Sequence, residues 1–242
     1  WTPVSQCYFP LSMAPCGTVL SMSAADLITF GKAHMDGGLS QSEQQWLSKS
    51  AVSQMQQSQA GLPRHMPGYF TDVGLGWGLH YGVDGPDFFG HDGGVIGQCS
   101  MLRIVPEHKT IFSMLLNCED FKLLGDIFSE LMEALVGAVY KAPEPSGVIE
   151  HPEQYCGSYE SLGSRYDIVF KQDRLWSITT QKTMKAPAKK MCLKPIDSNC
   201  FAMFAEDGIR LDNISFLSST PGEKAKYIFS GGRLCPRVQT GG

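Results

Sequence analysis

One stretch holds the best candidates for chemistry: Gly90-His91-Asp92-Gly93-Gly94, with Gly97 close behind. A histidine can hold or move a proton near neutral pH, and its two ring nitrogens are distinct. Glycines beside it let another backbone or a substrate come close, because no Cβ stands in the way. Two apolar runs follow, Gln98 to Val105 and Thr110 to Leu116, joined by the polar Pro106-Glu107-His108-Lys109. The pattern predicts a loop, a strand, a tight turn and a returning strand, with His91 at the edge of a buried sheet. Asp92 reads as a turn-former. His34, His65, His80, His108 and His151 lack any such context and read as surface or loop residues.

The eight cysteines show no C-x-x-C spacing, which argues against zinc and thioredoxin-type chemistry. Cys99 and Cys118 read as buried small hydrophobes, and Cys7 and Cys16 can pair if the protein is exported. No metal site or cofactor is indicated. The charge is uneven: residues 1–150 carry a net −8 and residues 151–242 a net +4. The basic residues of the second part are scattered along strand-like segments, which reads as a solvated surface and not a nucleic-acid face. No apolar run approaches the ~18 residues of a membrane span. The chain begins Trp1-Thr2-Pro3, which reads as a processed product or a piece of a longer polypeptide.

The elements that must position the glycine-rich stretch come from pattern. Ser23-Ala24-Ala25-Asp26 has the form of a capping box, and Gly37-Gly38 ends the helix it opens. Ser40-Gln41-Ser42-Glu43 repeats the signal and predicts a second helix to about Gln59. Leu75 to Tyr81 reads as a strand, and Asp84-Gly85-Pro86 as a turn. Thr110 to Leu116 is nearly continuous apolar, which predicts a central strand covered on both faces. Leu124, Phe128, Leu131 and Leu135 fall at helical spacing, giving a helix over 122–140 that packs on the sheet. Residues 141–150, with Pro143, Pro145 and Gly147, read as a linker. Beyond it, seven short runs, Tyr155–Tyr159, Tyr166–Phe170, Leu175–Thr179, Phe201–Phe204, Ile209–Ile214, Tyr227–Phe229 and Leu234–Val238, predict a small β-barrel or sandwich with a packed core. Asn213-Ile214-Ser215 has the form of a glycosylation sequon.

Residues 15–140 resemble the C-terminal part of the serine hydrolases that include class C β-lactamases, related penicillin-binding proteins, D-aminopeptidases and lipase-like esterases. The resemblance rests on Gly17-Thr18-Val19-Leu20-Ser21 with Asp26-Leu27 and Phe30, on Gly74-Leu75-Gly76-Trp77, and on Gly90 to Gly94 with Gly97, Pro106 and the strand to Asn117. It implies an α+β fold, a partial antiparallel sheet covered by helices over 1–140, followed by a small all-β barrel domain over 151–242. It implies acyl transfer on ester, amide or D-amino-acid peptide substrates. His91-Asp92-Gly93 would stand as the third motif. His91 would face the nucleophile, Gly93 would yield space, and the Gly94 N–H would be one of two oxyanion donors. The second part resembles the lipocalin-like domain of some of these hydrolases, through Tyr155-Cys156-Gly157-Ser158-Tyr159, Leu193-Lys194-Pro195-Ile196 with Phe201, and Gly231-Gly232-Arg233 with Arg237. Such a domain is expected to cover the cleft, shape substrate choice or mediate assembly.

The chain departs from the family at one place. No serine has a lysine three residues on, and no tyrosine has an asparagine two residues on. Tyr159-Glu160-Ser161 fits Tyr-x-Ser only formally, because it lies in the β part. The nucleophile is expected from a missing N-terminal segment or a complementary chain, with a small molecule or peptide as substrate and a periplasmic or secreted location. The competing expectation is a non-catalytic binding protein with a degenerate hydrolase scaffold and a β-barrel interaction module.

Overall fold

A computed structural model describes residues 11–17, 19–63, 69–82, 85–95, 97–182, 187–220 and 222–238. Cys7, and with it the Cys7–Cys16 pairing, His65 and Asp84 lie outside the described residues. The chain divides into two compact units, one holding nearly all residues up to Lys141, the other beginning at Ala142. No helix among the described residues is long and apolar enough to cross a membrane.

The first unit contains α1 (Ala24–Met35), α2 (Lys49–Met55), β1 (Ala60–Gly61), β2 (Asp72–Val73), β3 (Gly78–His80), β4 (Phe88–Val95), β5 (Gln98–Val105), β6 (Thr110–Leu116) and α3 (Phe121–Val136). The capping box forms as expected: the Asp26 N–H donates to Ser23 Oγ, and the Ser23 N–H donates to the Asp26 carboxylate at 3.1 Å. Gly37 and Gly38, both at positive φ, end α1. The second helix is shorter than expected. Residues 40–47 fold into turns because side chains and backbone compete for the helical hydrogen bonds. Gln45 Nε2 donates to the Gly37 carbonyl at 2.8 Å, the Trp46 N–H returns to the Gly38 carbonyl, and Glu43 sits at φ 60°. Only after Ser48, which caps Ala51, does α2 begin. β3 is likewise shorter than Leu75–Tyr81, since Gly76 at φ 79° and the bond from Gly74 N–H to Trp77 O make a turn.

The six strands form one antiparallel sheet in chain order. Alternation sorts their side chains to two faces. Phe88, Cys99, Met101, Val105 and Phe112 pack with Leu124, Phe128 and Met132 of α3. Trp77, Leu79, Phe89, Leu102 and Ile104 form the other core, against Leu27 and Met35 of α1. Gly31 lets α1 sit close, since a Cβ there would lie 3.2–3.3 Å from the side chains of Ile104 and Ile111. β6 is not central. It ends the sheet, its outer edge has no strand partner among the described residues, and Leu115 is exposed. β5 is the strand buried on both faces. An apolar run shows that a strand can be covered, not that this segment of chain supplies the cover.

The second unit has eight strands: β7 (Gly157–Glu160), β8 (Ser164–Lys171), β9 (Arg174–Gln181), β10 (Lys189–Pro195), β11 (Cys200–Phe204), β12 (Arg210–Leu217), β13 (Tyr227–Ser230) and β14 (Arg233–Pro236). They pair antiparallel in chain order. A bridge between Tyr159 and Arg237, with the Val238 N–H donating to Ser158 O at 2.8 Å, brings the two ends together into a nearly closed barrel. Its interior is filled, with Tyr159, Ile168, Leu175, Leu193, Phe201, Ile214 and Phe216 among the core residues. The Arg237 guanidinium staples the closure by donating to the carbonyls of Gln154, Cys156 and Ala225 and to the Tyr159 hydroxyl. β10 escaped the sequence reading because lysines interrupt it. Two of them lie over aromatic rings, Lys190 over Trp176 and Lys194 over Phe204. Residues 141–150 hold no helix or strand, yet they are tied to this unit. Arg210 Nη1 donates to Pro143 O, the Gly147 N–H donates to Pro195 O, and Ile149 packs on the barrel core. Asn213 of the sequon is buried, so the folded chain does not offer it for glycosylation.

Candidate active site

The stretch read as a loop is a strand. Gly90 to Gly94 lie inside β4, and the turn comes later, at Gly97 with φ 76°. Glycine is a poor strand former, and this is why the sequence reads otherwise. Here pairing decides: Gly90, Gly93 and Gly94 stand opposite Arg103, Ser100 and Cys99 of β5. Close approach excludes side chains. A Cβ on Gly90 would run into the Leu102 carbonyl, one on Gly93 into the Ser100 hydroxyl, and one on Gly94 to 2.8 Å from the Phe121 ring. The Gly97 N–H donates to Glu119 Oε1 at 2.7 Å, which ties the hairpin tip to the segment leading into α3.

His91 and Gly93 share the α1 face, where His91 is exposed. Its Nδ1 lies 2.6 Å from the Asp92 carbonyl oxygen. A carbonyl can only accept, so Nδ1 carries the hydrogen, and Nε2 is the acceptor of the neutral ring. β4 pairs with β3 only over Phe88–Gly90, whereas its pairing with β5 runs on to Val95. From His91 to Val95 the outer edge of β4 has no strand partner among the described residues. An exposed imidazole therefore stands beside a run of strand edge that no described strand covers.

Asp92 points to the opposite face, and it is no turn-former. Its two carboxylate oxygens take the Arg103 fork at 2.7 and 3.2 Å. Arg103 is fully buried, its guanidinium 4.3 Å from the centre of the Phe70 ring and near those of Phe88 and Phe128. The sequence carried a signal for this pair that the motif reading missed: Arg103 is the one charged residue inside an otherwise apolar run. A buried arginine needs a carboxylate within reach.

The remaining histidines and the tyrosine candidate fall elsewhere. His34 and His80 are buried, contrary to the surface reading, while His108 and His151 are exposed. His34 lies among the Phe30, Trp46 and Trp77 rings, and burial holds its pKa below the usual value. His80 stacks on Phe88, and its Nδ1 bonds to Tyr69 O at 2.6 Å. Tyr159 is buried in the barrel, and its hydroxyl donates to Tyr155 O. Burial pushes its pKa up to about 12, which makes it a poor proton exchanger near neutrality. Cys99 is buried and its thiol is pushed up by burial, while Cys118 is half-buried; both are free.

The Beta-lactamase family model matches residues 5–126, half of the chain, from before α1 into the start of α3 and across the whole of β4. The chain belongs to the β-lactamase family. Penicillin-binding protein 4 of Amycolatopsis lactamdurans is 34% identical over 160 residues, which are 64% of this chain and 41% of that protein. The chain thus spans less than half the length of this relative. Two crystal structures of SurE share the fold. One, with D-Leu, has a TM-score of 0.63 at 22% identity and covers 89% of this chain and 50% of its own. The other has a TM-score of 0.62 at 23% identity and covers 89% and 48%. Membership in this family agrees with the family resemblance read from the sequence.

Proposed function

We propose that this chain is the C-terminal part of a serine hydrolase of the esterase and D-aminopeptidase type within the β-lactamase family, acting by acyl transfer on ester, amide or D-amino-acid peptide substrates. The nucleophile comes from a segment N-terminal to this chain. His91 faces that nucleophile with Nε2, and Gly93 leaves room for the substrate. The Gly94 N–H is an oxyanion donor. In an antiparallel strand, alternate residues direct their N–H and C=O to the same side. Gly94 has the parity of Asp92, whose carbonyl is available to the His91 ring. On that parity both point to the open edge, where a substrate carbonyl can lie. The residues from Ala142 onward form a lipocalin-like accessory domain that shapes substrate choice or assembly, and the protein acts in the periplasm or outside the cell.

The observation that carries this reading is the outer edge of β4 from His91 to Val95, which has no strand partner among the described residues and an exposed imidazole beside it. The test is labelling of the full-length protein by a fluorophosphonate probe, with mapping of the modified residue. Labelling of a serine in a Ser-x-x-Lys segment before Trp1, and its loss in the Ser→Ala variant, is the expected result. Absence of such a serine refutes the reading and leaves the non-catalytic scaffold. The D-Leu in the structure of one fold neighbour and the penicillin-binding relative make a D-alanine amide a sensible first substrate.

A further inference from the structure

The space above Gly93 is not empty. Gly93 stands opposite Ser100 of β5, and a Cβ built on Gly93 would overlap the Ser100 Oγ. The hydroxyl therefore rises into the notch that the missing side chain leaves. Ser100 has the parity of Leu102 and Ile104, so it belongs to the same sheet face as His91. It is half-buried, and no hydrogen bond to another described residue engages its hydroxyl. A polar hydroxyl on a strand otherwise given to core residues, left without a partner, is placed to meet something that arrives from outside.

We infer that Ser100 is a substrate-contacting residue: its hydroxyl, reached through the Gly93 notch, hydrogen-bonds the ester or amide group of the substrate lying along the edge of β4 beside His91. This rests on the hydrolase reading above and adds a contact that the His-Asp-Gly motif does not contain. It also changes the task of Gly93. The glycine makes room for the Ser100 hydroxyl as well as for substrate, so the two positions work as a pair.

The test compares kcat/KM for p-nitrophenyl acetate in the full-length protein, its Ser100→Ala and its Ser100→Thr variants, with thermal unfolding of each. Loss of one neutral hydrogen bond predicts a drop of roughly threefold to tenfold for Ser100→Ala. Ser100→Thr keeps the hydroxyl and should stay within about twofold of wild type, with all three melting alike. An active wild type with an unchanged Ser100→Ala variant overturns this inference and leaves the hydrolase reading standing. Equal losses in both variants also overturn it, because the hydroxyl is then not responsible. A wild type that neither hydrolyses the ester nor takes the fluorophosphonate label overturns the hydrolase reading, and the Ser100 contact falls with it.

Discussion

The Asp92–Arg103 pair gives the sharpest quantitative expectation. Arg103 is wholly buried among three phenylalanine rings, and Asp92 supplies its counter-charge through two hydrogen bonds of 2.7 and 3.2 Å. The Asp92 side chain keeps 18% of its exposure, so water screens the pair in part. Breaking a buried pair by removing one partner costs about 3–5 kcal/mol, because a charge is left without compensation. Discounting for the exposed carboxylate edge gives about 2–4 kcal/mol for Asp92→Ala. At roughly 3–5 °C per kcal/mol for a unit of this size, the melting temperature should fall by about 6–20 °C.

The decisive variant is the double one, Asp92→Ala with Arg103→Met. Methionine has an unbranched, flexible side chain that can lie among the same three rings without needing a counter-charge. Replacing both charges with apolar groups is often neutral. The double variant should therefore return to within about 1 kcal/mol of wild type, giving a coupling energy of at least ~1 kcal/mol in the cycle. Urea denaturation of the four proteins, followed by near-ultraviolet circular dichroism, measures it. A coupling below ~0.5 kcal/mol would refute the reasoning, because the cost of Asp92→Ala would then owe nothing to the stranded arginine.

Three further outcomes follow from single groups. Burial holds His34 below its ordinary pKa of 6.5, so the unfolded chain takes up the proton first as pH falls. Stability is then full above about pH 6.5 and declines as pH drops toward the folded value; urea midpoints at pH 8 and pH 5.5 should show this slope, and His34→Phe should flatten it. Gly90→Ala puts a Cβ into the rigid Leu102 carbonyl and should cost about 1–3 kcal/mol, more than Gly93→Ala, where the Ser100 hydroxyl can rotate away; equal melting temperatures would contradict this. Gly157→Ala places a Cβ where Arg237 Nη1 sits, at φ 145°, and should cost about 3–5 kcal/mol through lost charged hydrogen bonds and backbone strain, read as loss of protected amides in β7 and β14 by hydrogen exchange.

Much of the local structure was legible because it rests on neighbours in sequence. The Ser23 capping box and the Pro106–Lys109 turn depend on contacts within a few residues, and the bounds of β5 and β6 and the helical spacing of Leu124, Phe128 and Leu131 in α3 show directly in the apolar pattern. What was misread is set by partners that the local residue pattern does not announce. The glycine-rich β4 looked like a loop, since its strand character comes from β5. The helix expected from Ser40 gave way to side chains reaching back to Gly37 and Gly38. β10 was hidden by lysines whose stems lie on the aromatic rings of neighbouring strands. His34 and His80 looked exposed because most of the rings around them, Trp46 and Trp77 for the first and Phe88 and Tyr140 for the second, come from other segments.

The misjudged middle residue of the proposed third motif follows from the same reasoning. A strand puts successive side chains on opposite faces. A motif of three neighbouring residues on a strand therefore cannot send all three side chains into one site. His91 and Gly93 share a face, so Asp92 must point the other way, into the α3 core, where the buried Arg103 meets it. The charge of Asp92 anchors the tip of β4 from behind, and its carbonyl sets the tautomer of His91 in front. Removing its side chain should disturb the site through the strand and not through contact with substrate. Any loss of activity in Asp92→Ala should thus be recovered, along with stability, when Arg103→Met is added; activity that stays lost while stability returns would assign the carboxylate a direct part in the chemistry.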